Sequence, residues 1–592
     1  MNPLTMKHFL FSLACLASFV LAVSGQDTGK PSAWGDWQSW GNQGDGTYMN
    51  PVLPADFSDI DCIQHDGWYY AISSTFQFSP GMVILRSRNM VDWEIYSHAV
   101  PDLTQIGPAL SYDTMDRYGR GIWAGAIRYA EGRFYLYFGC PDEGMFMTSA
   151  RRIKGPWEPL HKMNIDGGWD DPCPLFDDDG SKYLVATHFA DGYKTYIFRM
   201  TDDGKDVDLS TAVLLNDGFG REANKLYKFA GKYYHLYSED VDGGRYLMMQ
   251  RADRPMGPYL EKHRLCRTQR EWHEPNQGGY LQDRDGNWFF LTHHGMGYWG
   301  GRIASLLPVT WTGDGWPVIG EPDEEQVGNM VWRHTLPVAR SAWFGRSRSA
   351  RLGRSRSGDV SGKTRLDAVS GNGPERTRLK AVSGNGPERT RLKAFTSPDF
   401  EWNYQPREGF CRLSRKKLIL KAFRPLEKGN LLKAGNTLTL RSWASAGNDA
   451  RVQLDLSKMA DGQRSGMCHF SVTWSEFGVK MDQGVRTLYS RTNDGEDQII
   501  LENVPKRLYL RSTWGLDGIC RYSYSLNGST WTDAGTHRAP HSPADSTWTD
   551  AGVQYVFQWG YYRGDRLGLY TYNDLSDTGQ ATFLRFRYTV SQ

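Results

Sequence analysis

Three acidic positions in the first half of the chain could act together: Asp59 in Ser58-Asp59-Ile60-Asp61, Asp171 in Asp170-Asp171-Pro172, and Glu222 in Arg221-Glu222-Ala223-Asn224. Each lies shortly before a glycine turn, at Asp66-Gly67, Asp179-Gly180 and Ala230-Gly231, and therefore at one phase of a repeating unit. Charges crowded at one phase of a structural repeat repel each other, so their recurrence points to function rather than packing. No nucleophile triad, metal-ligand box or phosphate loop accompanies them. Chemistry that runs on carboxylates alone is glycoside hydrolysis. One ionised carboxylate activates water, one protonated carboxyl protonates the leaving oxygen, and a third negative group helps the acid keep its proton.

The elements that must position these groups are short strands. Trp68-Tyr-Tyr-Ala-Ile-Ser73, Arg133-Phe-Tyr-Leu-Tyr-Phe138, Lys182-Tyr-Leu-Val-Ala-Thr187, Lys232-Tyr-Tyr-His-Leu-Tyr237 and Trp288-Phe-Phe-Leu-Thr-His293 each follow a turn containing glycine. The turns recur at roughly 50-residue intervals with no helical periodicity between them, which predicts a five-bladed β-propeller whose first strands surround one channel. The segments Trp123-Ala-Gly-Ala-Ile-Arg128 and Pro275-Asn-Gln-Gly-Gly279 occupy the same phase in the two units without a carboxylate. Asp171 precedes a proline, which predicts extended backbone there. Asp177-Asp178-Asp179-Gly180 reads as a hairpin turn with no catalytic duty.

Residues 48–336 resemble glycoside hydrolase family 43. The likeness is carried by Asn50-Pro-Val-Leu-Pro-Ala-Asp-Phe-Ser-Asp59, by Asp171-Pro172, by Arg221-Glu-Ala-Asn-Lys-Leu-Tyr-Lys228, by Trp123-Ala124 and by Gly301-Arg302. It implies that Asp59 is the general base, Glu222 the general acid, and Asp171 the residue that orients the acid and raises its pKa. It also implies that Trp123 lines the sugar pocket and that Arg302 contacts the sugar. Two departures stand out. Ile60-Asp61 replaces the family's usual Pro and Ser after the base, leaving Asp61 as an alternative base, and Ala223-Asn224 replaces the usual Gly-Pro after the acid. The resemblance further implies a calcium ion or a water cluster in the channel, contacted by one histidine. His293, in Thr292-His293-His294-Gly295, is the candidate; any such calcium needs oxygen ligands, chiefly waters, and is structural or electrostatic, and no cofactor is required.

The 592 residues are too many for one core, and a net charge of +2 gives no general pull toward nucleic acid. Aromatics make up 13%, with 22 Trp and 31 Tyr, flat surfaces suited both to β cores and to stacking on sugars. Residues 1–26 carry Lys7 and His8 and then an apolar run ending at small residues, the pattern of a cleaved secretory signal; this places the protein in the secreted or periplasmic space. No later stretch is long enough to span a membrane. Seven further cysteines fall in no paired spacing and read as buried thiols.

After an N-terminal segment, 27–47, the expected units are the propeller at 48–338, a linker at 339–394 and a second domain at 395–592. The linker is basic and polar, and within it Val369–Ala381 is repeated at once as Val382–Ala394. The last unit alternates at period two, as in Trp402-Asn-Tyr and Phe583-Leu-Arg-Phe-Arg-Tyr588, which predicts a two-sheet sandwich. It looks like the concanavalin-like carboxy-terminal domain of family 43 β-xylosidases and α-L-arabinofuranosidases, in which a sandwich loop helps close the sugar pocket.

The expectation is an all-β, exo-acting, inverting hydrolase that releases xylose or L-arabinofuranose from plant polysaccharide or oligosaccharide. The alternatives are a non-catalytic carbohydrate-binding propeller, disfavoured by the intact carboxylates, and an endo-arabinanase, disfavoured by the second domain.

Overall fold

The computed structural model describes residues 39–241, 244–267, 275–294, 299–339, 388–493, 495–528, 549–560 and 562–591. Residues 1–26, expected to be a secretory signal, most of the linker repeats, and most of the Ser-Thr-Trp-Thr-Asp-Ala-Gly stretch that occurs at 529–535 and again at 546–552 lie outside these residues.

The described residues contain no α-helix, only strands and short 3₁₀ turns. Glycine turns separate strands whose inward faces carry Tyr, Phe, Ile and Leu, and the strands pair with their sequence neighbours into antiparallel sheets. Five four-stranded sheets follow one another along the propeller. Their first strands are Asp61–His65, Gly125–Ala130, Asp170–Phe176, Glu222–Phe229 and Gly278–Gln282. These strands lie side by side around a ring, the first beside the second and the fifth, and the third beside the second and the fourth. A further sheet joins Gly41–Asn42 and Thr47–Met49 to Arg333–Thr335, tying the start of the propeller to its end.

Adjacent sheets are sewn together near the axis. Asp61 Oδ2 accepts from Arg128 Nη1 at 2.7 Å and from the Ile127 N–H at 2.8 Å. Arg128 Nη2 lies 2.8 Å from Cys173 Sγ, which in turn accepts from the Leu226 N–H. Asp61 Oδ2 thus joins the first two sheets in an ion pair that is wholly buried on the Asp61 side, a structural role, while its Oδ1 has no hydrogen-bond partner among the described residues. Asp177–Gly180 is the hairpin turn expected, closed by Gly180 N–H to Asp177 O at 3.0 Å, and its Asp177 also takes Tyr233 Oη at 2.6 Å from the next sheet. All seven described cysteines are free thiols, six of them buried.

The second domain is a sandwich of two eight-stranded sheets. Its first strand lies earlier than the sequence suggests. Glu388–Leu392, at the end of the second linker copy, pairs with the final strand in the register Glu388↔Ser591, and Leu392 is buried in the core. The propeller also adds a strand of its own to the sandwich: Phe78–Ser79 pairs with Glu401–Asn403.

One buried cluster dominates the seam between the domains. Glu401 accepts from Arg441 Nη1 at 3.0 Å, from Arg566 Nη1 at 2.6 Å, and lies 3.0 Å from His98 Nε2 of the propeller. Burial alone would raise its pKa, but Arg441 and Arg566 outweigh it and hold the carboxyl well below the usual range. The stabilisation is thus present above the ordinary Glu range and fades only in strong acid. Glu401→Gln leaves two guanidiniums buried without their anion, and a loss of about 3–5 kcal/mol in urea unfolding followed by Trp fluorescence is expected.

Candidate active site

The three carboxylates come from three sheets and meet at the channel, where the backbone is unusual at each. Asp59, Asp171 and Ala223 all have positive φ, at 57°, 52° and 65°. Asp171 and Ala223 sit at equivalent register shifts, between Asp170 and Cys173 and between Glu222 and Lys225. Such bulges re-aim a side chain at the cost of local strain, and they cluster at functional sites. The extended backbone that Pro172 suggests for Asp171 is therefore not observed. The bulge turns the residue left-handed, and two hydrogen bonds to its carboxylate hold it there.

Asp59 Oδ1 accepts from Arg302 Nη1 and Oδ2 from Ser74 Oγ, both at 2.6 Å, while its own N–H donates to His293 Nδ1 at 2.8 Å. Arg302 follows Gly301, whose φ of +80° places it so close to Asp56 that a Cβ would come within 2.5 Å of Oδ1. Only glycine lets Arg302 turn into the channel here.

Asp171 Oδ2 accepts the Ala223 N–H and Oδ1 accepts Gln277 Nε2, both at 2.7 Å. Its carboxylate thus fastens the backbone beside Glu222. Burial, then the charge of Glu222, push its pKa up to about 7, against the pull of Lys225 and the Ala223 N–H. Asp170 is also pushed well up, by burial and by Asp171, and its buried Oδ1 accepts no hydrogen bond among the described residues. It borders the site, and the Asp171 N–H bonds to its carboxyl and partly opposes that rise. Asn224, in place of the family's usual proline, donates to Thr187 Oγ1 at 2.8 Å and accepts from His235 Nε2, locking the bulge that carries Glu222.

Glu222 is the most open of the three. Its side chain is 32% exposed, against 10% for Asp59, so it stands at the mouth while Asp59 lies deeper. Glu222 Oε1 accepts from Arg245 Nη1 at 2.6 Å.

Aromatic rings wall the mouth. Trp123 lies 5.9 Å from Phe189 and 6.0 Å from Tyr562, and Tyr562 also sits 5.5 Å from the Arg302 guanidinium. Tyr562 belongs to the sandwich, so the second domain contributes to the pocket wall. Its neighbour Gly564 packs directly on the propeller backbone at Gly301. Tyr193 and the 71% exposed Phe219 form an edge-on pair at 5.0 Å on the Glu222 side.

The structure brings Asp59, Asp171, Glu222, Trp123, Arg302 and His293 together. Ser74, Gln277, Arg245 and Tyr562 were not singled out from the sequence. Only Gln277 carried a signal, being at the same phase as the carboxylates.

The geometry at His293 disagrees with calcium contact. Nδ1 accepts the Asp59 amide, and burial with the charges of Arg302, Arg245 and Lys225 keeps the ring neutral, so the proton resides on Nε2. That nitrogen is buried with no hydrogen-bond partner among the described residues, and it can donate but not coordinate. No group of three or more His, Cys, Asp or Glu side chains suited to a metal occurs among the described residues.

A propeller whose channel gathers three carboxylates and an arginine, with a sandwich at its mouth, defines a glycoside hydrolase. Residues 48–317 match the glycosyl hydrolases family 43 and residues 393–589 the β-xylosidase C-terminal concanavalin A-like domain, so the chain belongs to family 43 and is a glycosidase. It is similar to a β-xylosidase of Formosa agariphila, 28% identical over 93% of this chain and 91% of that protein. It is also similar to a non-reducing end α-L-arabinofuranosidase of Bacteroides ovatus, 25% identical, of which it spans 54% against 46% of its own length. Among solved structures, a bifunctional family 43 protein of Bacteroides eggerthii superposes with a TM-score of 0.69 at 24% identity over 92% of this chain and 63% of that one, a likeness of fold.

Proposed function

We propose that the protein is a secreted, exo-acting, inverting glycosidase that removes terminal xylose or L-arabinofuranose from plant cell-wall polysaccharide or oligosaccharide. The observation that carries the reading is the different surroundings of the three carboxylates. Asp59 is tied to a cation and a hydroxyl deep in the channel, as suits a base that takes a proton from water. Glu222 stands at the open mouth, as suits an acid that meets the leaving oxygen. Asp171 is anchored beside Glu222 and adds negative charge to its surroundings, as suits a tuning residue. Trp123 offers a ring face and Arg302 its remaining donors to the sugar. Tyr562 narrows the mouth from the sandwich side, which favours a terminal residue over an internal one. Secretion is supported by the charged and apolar pattern of residues 1–26.

The relatives named as β-xylosidase and α-L-arabinofuranosidase leave the sugar between those two. Release of 4-nitrophenol from the β-D-xylopyranoside and the α-L-arabinofuranoside, assayed in parallel, decides it. Turnover of either supports the reading, and the faster one names the sugar. Binding of xylan without turnover of either would replace it with a carbohydrate-binding role.

A further inference from the structure

Arg245 has no counterpart in the reading so far, and its placement is specific. It lies on Gly244–Ala252, the third strand of the fourth sheet, two strands away from Glu222. In the ladder Glu222 faces Ser238 on the middle strand, and two residues further along that strand Asp240 faces Arg245. Arg245 can therefore reach diagonally across the middle strand. Its Nη1 donates to Glu222 Oε1 at 2.6 Å and to Ser238 Oγ at 3.0 Å, and its Nε lies 3.3 Å from Asp240 Oδ1. The guanidinium is held on both sides before it meets Glu222. A fork fixed in this way offers a directed donor rather than a floating charge.

We propose that Arg245 is the positioning residue of the acid, occupying Glu222 Oε1 so that Oε2 is the oxygen that carries the proton to the leaving group. The inference rests on Glu222 being the acid. A carboxyl with an N–H donor on one oxygen holds its proton on the other, because the accepting oxygen must offer a lone pair. Glu222 Oε2 has no hydrogen bond to any described residue and is left for that duty. After transfer, the same contact stabilises the carboxylate that forms, so Arg245 assists departure most where departure needs a proton. The charged and titratable groups that bear on Glu222 are Asp170 and Asp171 from the third sheet, Tyr193 from the loop ahead of that sheet's third strand, and Asp240 and Arg245 from its own sheet. Arg245 is the cation in direct contact with Glu222, and its charge opposes that of these acidic groups.

The test is the pH dependence of kcat/KM for Arg245→Met and Arg245→Lys on two substrates, an alkyl glycoside and a 2,4-dinitrophenyl glycoside of the sugar the enzyme prefers. Arg245→Met is expected to lose about tenfold or more on the alkyl glycoside and little on the dinitrophenyl one, whose leaving group needs no proton. Its alkaline limb should move up by about one unit, since removal of a cation favours the protonated carboxyl. Arg245→Lys should keep the limb of the unaltered enzyme. If the Met variant does not fold, Arg245→Gln, which keeps a donor without the charge, must move the limb in the same direction. Equal losses on both substrates with an unmoved limb would overturn the proposal and leave Arg245 a structural residue. Glu222→Gln separates the two levels. If it keeps full activity on the alkyl glycoside, the assignment of the acid itself fails; if it loses that activity while the Arg245 variants keep both limb and substrate ratio, only the present inference fails.

Discussion

Asp59→Asn is expected to lower kcat/KM by about 10²–10⁴-fold on good and poor leaving groups alike. The base acts on water, not on the departing oxygen, so its loss cannot be offset by a better leaving group. The substitution is nearly isosteric. The amide oxygen can still accept from Arg302, and the new NH₂ can donate to Ser74 Oγ, so the left-handed position at Asp59 retains its side-chain contacts. The folded protein should melt within a few degrees of the unaltered one, and steady-state assays on nitrophenyl and alkyl glycosides should show parallel losses. Loss confined to the alkyl glycoside would assign Asp59 to leaving-group chemistry instead.

Glu222→Gln should behave in the opposite way. An amide has no proton to give, so an alkyl glycoside should lose at least about 10²-fold, while a dinitrophenyl glycoside, whose leaving group departs as a stable anion, should lose little. Glu222 is open to solvent at the channel mouth and is fixed mainly by Arg245, so replacing it does not disturb the buried bonds of Asp171. Full activity of this variant on the alkyl glycoside would remove Glu222 from the mechanism. The contrast between the two variants separates base from acid without a bound substrate.

The propeller was legible in the sequence because its grammar is local: a glycine turn, a Tyr- and Phe-rich strand, and the same pair again in the next unit. The carboxylates were legible because the repeat gives each residue a phase, and Asp59, Asp171 and Glu222 share one. What the repeat does not encode is reach across a sheet or between domains. Arg245 stands among the charges of an ordinary hairpin, and only the ladder shows that it crosses the middle strand to Glu222. Tyr562 belongs to another domain, and no spacing connects it to Trp123. Backbone conformation was also hidden. Pro172 argues for extended geometry at Asp171, yet the bulge and the grip of the Ala223 N–H and Gln277 impose a left-handed one. At His293 the residue type suggests a ligand, whereas the proton on Nε2 follows from one contact with a backbone amide 234 positions away in sequence.

The anomeric form of the first sugar released tests the central claim most directly. With a β-xyloside followed by proton NMR from the first turnovers, an acid and a base acting from opposite sides of the ring give α-xylopyranose first, with the β-anomer growing in only through mutarotation. For an α-L-arabinofuranoside the first product is the β-furanose. Appearance of the substrate's own anomeric configuration first would require a covalent intermediate and would contradict the roles assigned to Asp59 and Glu222.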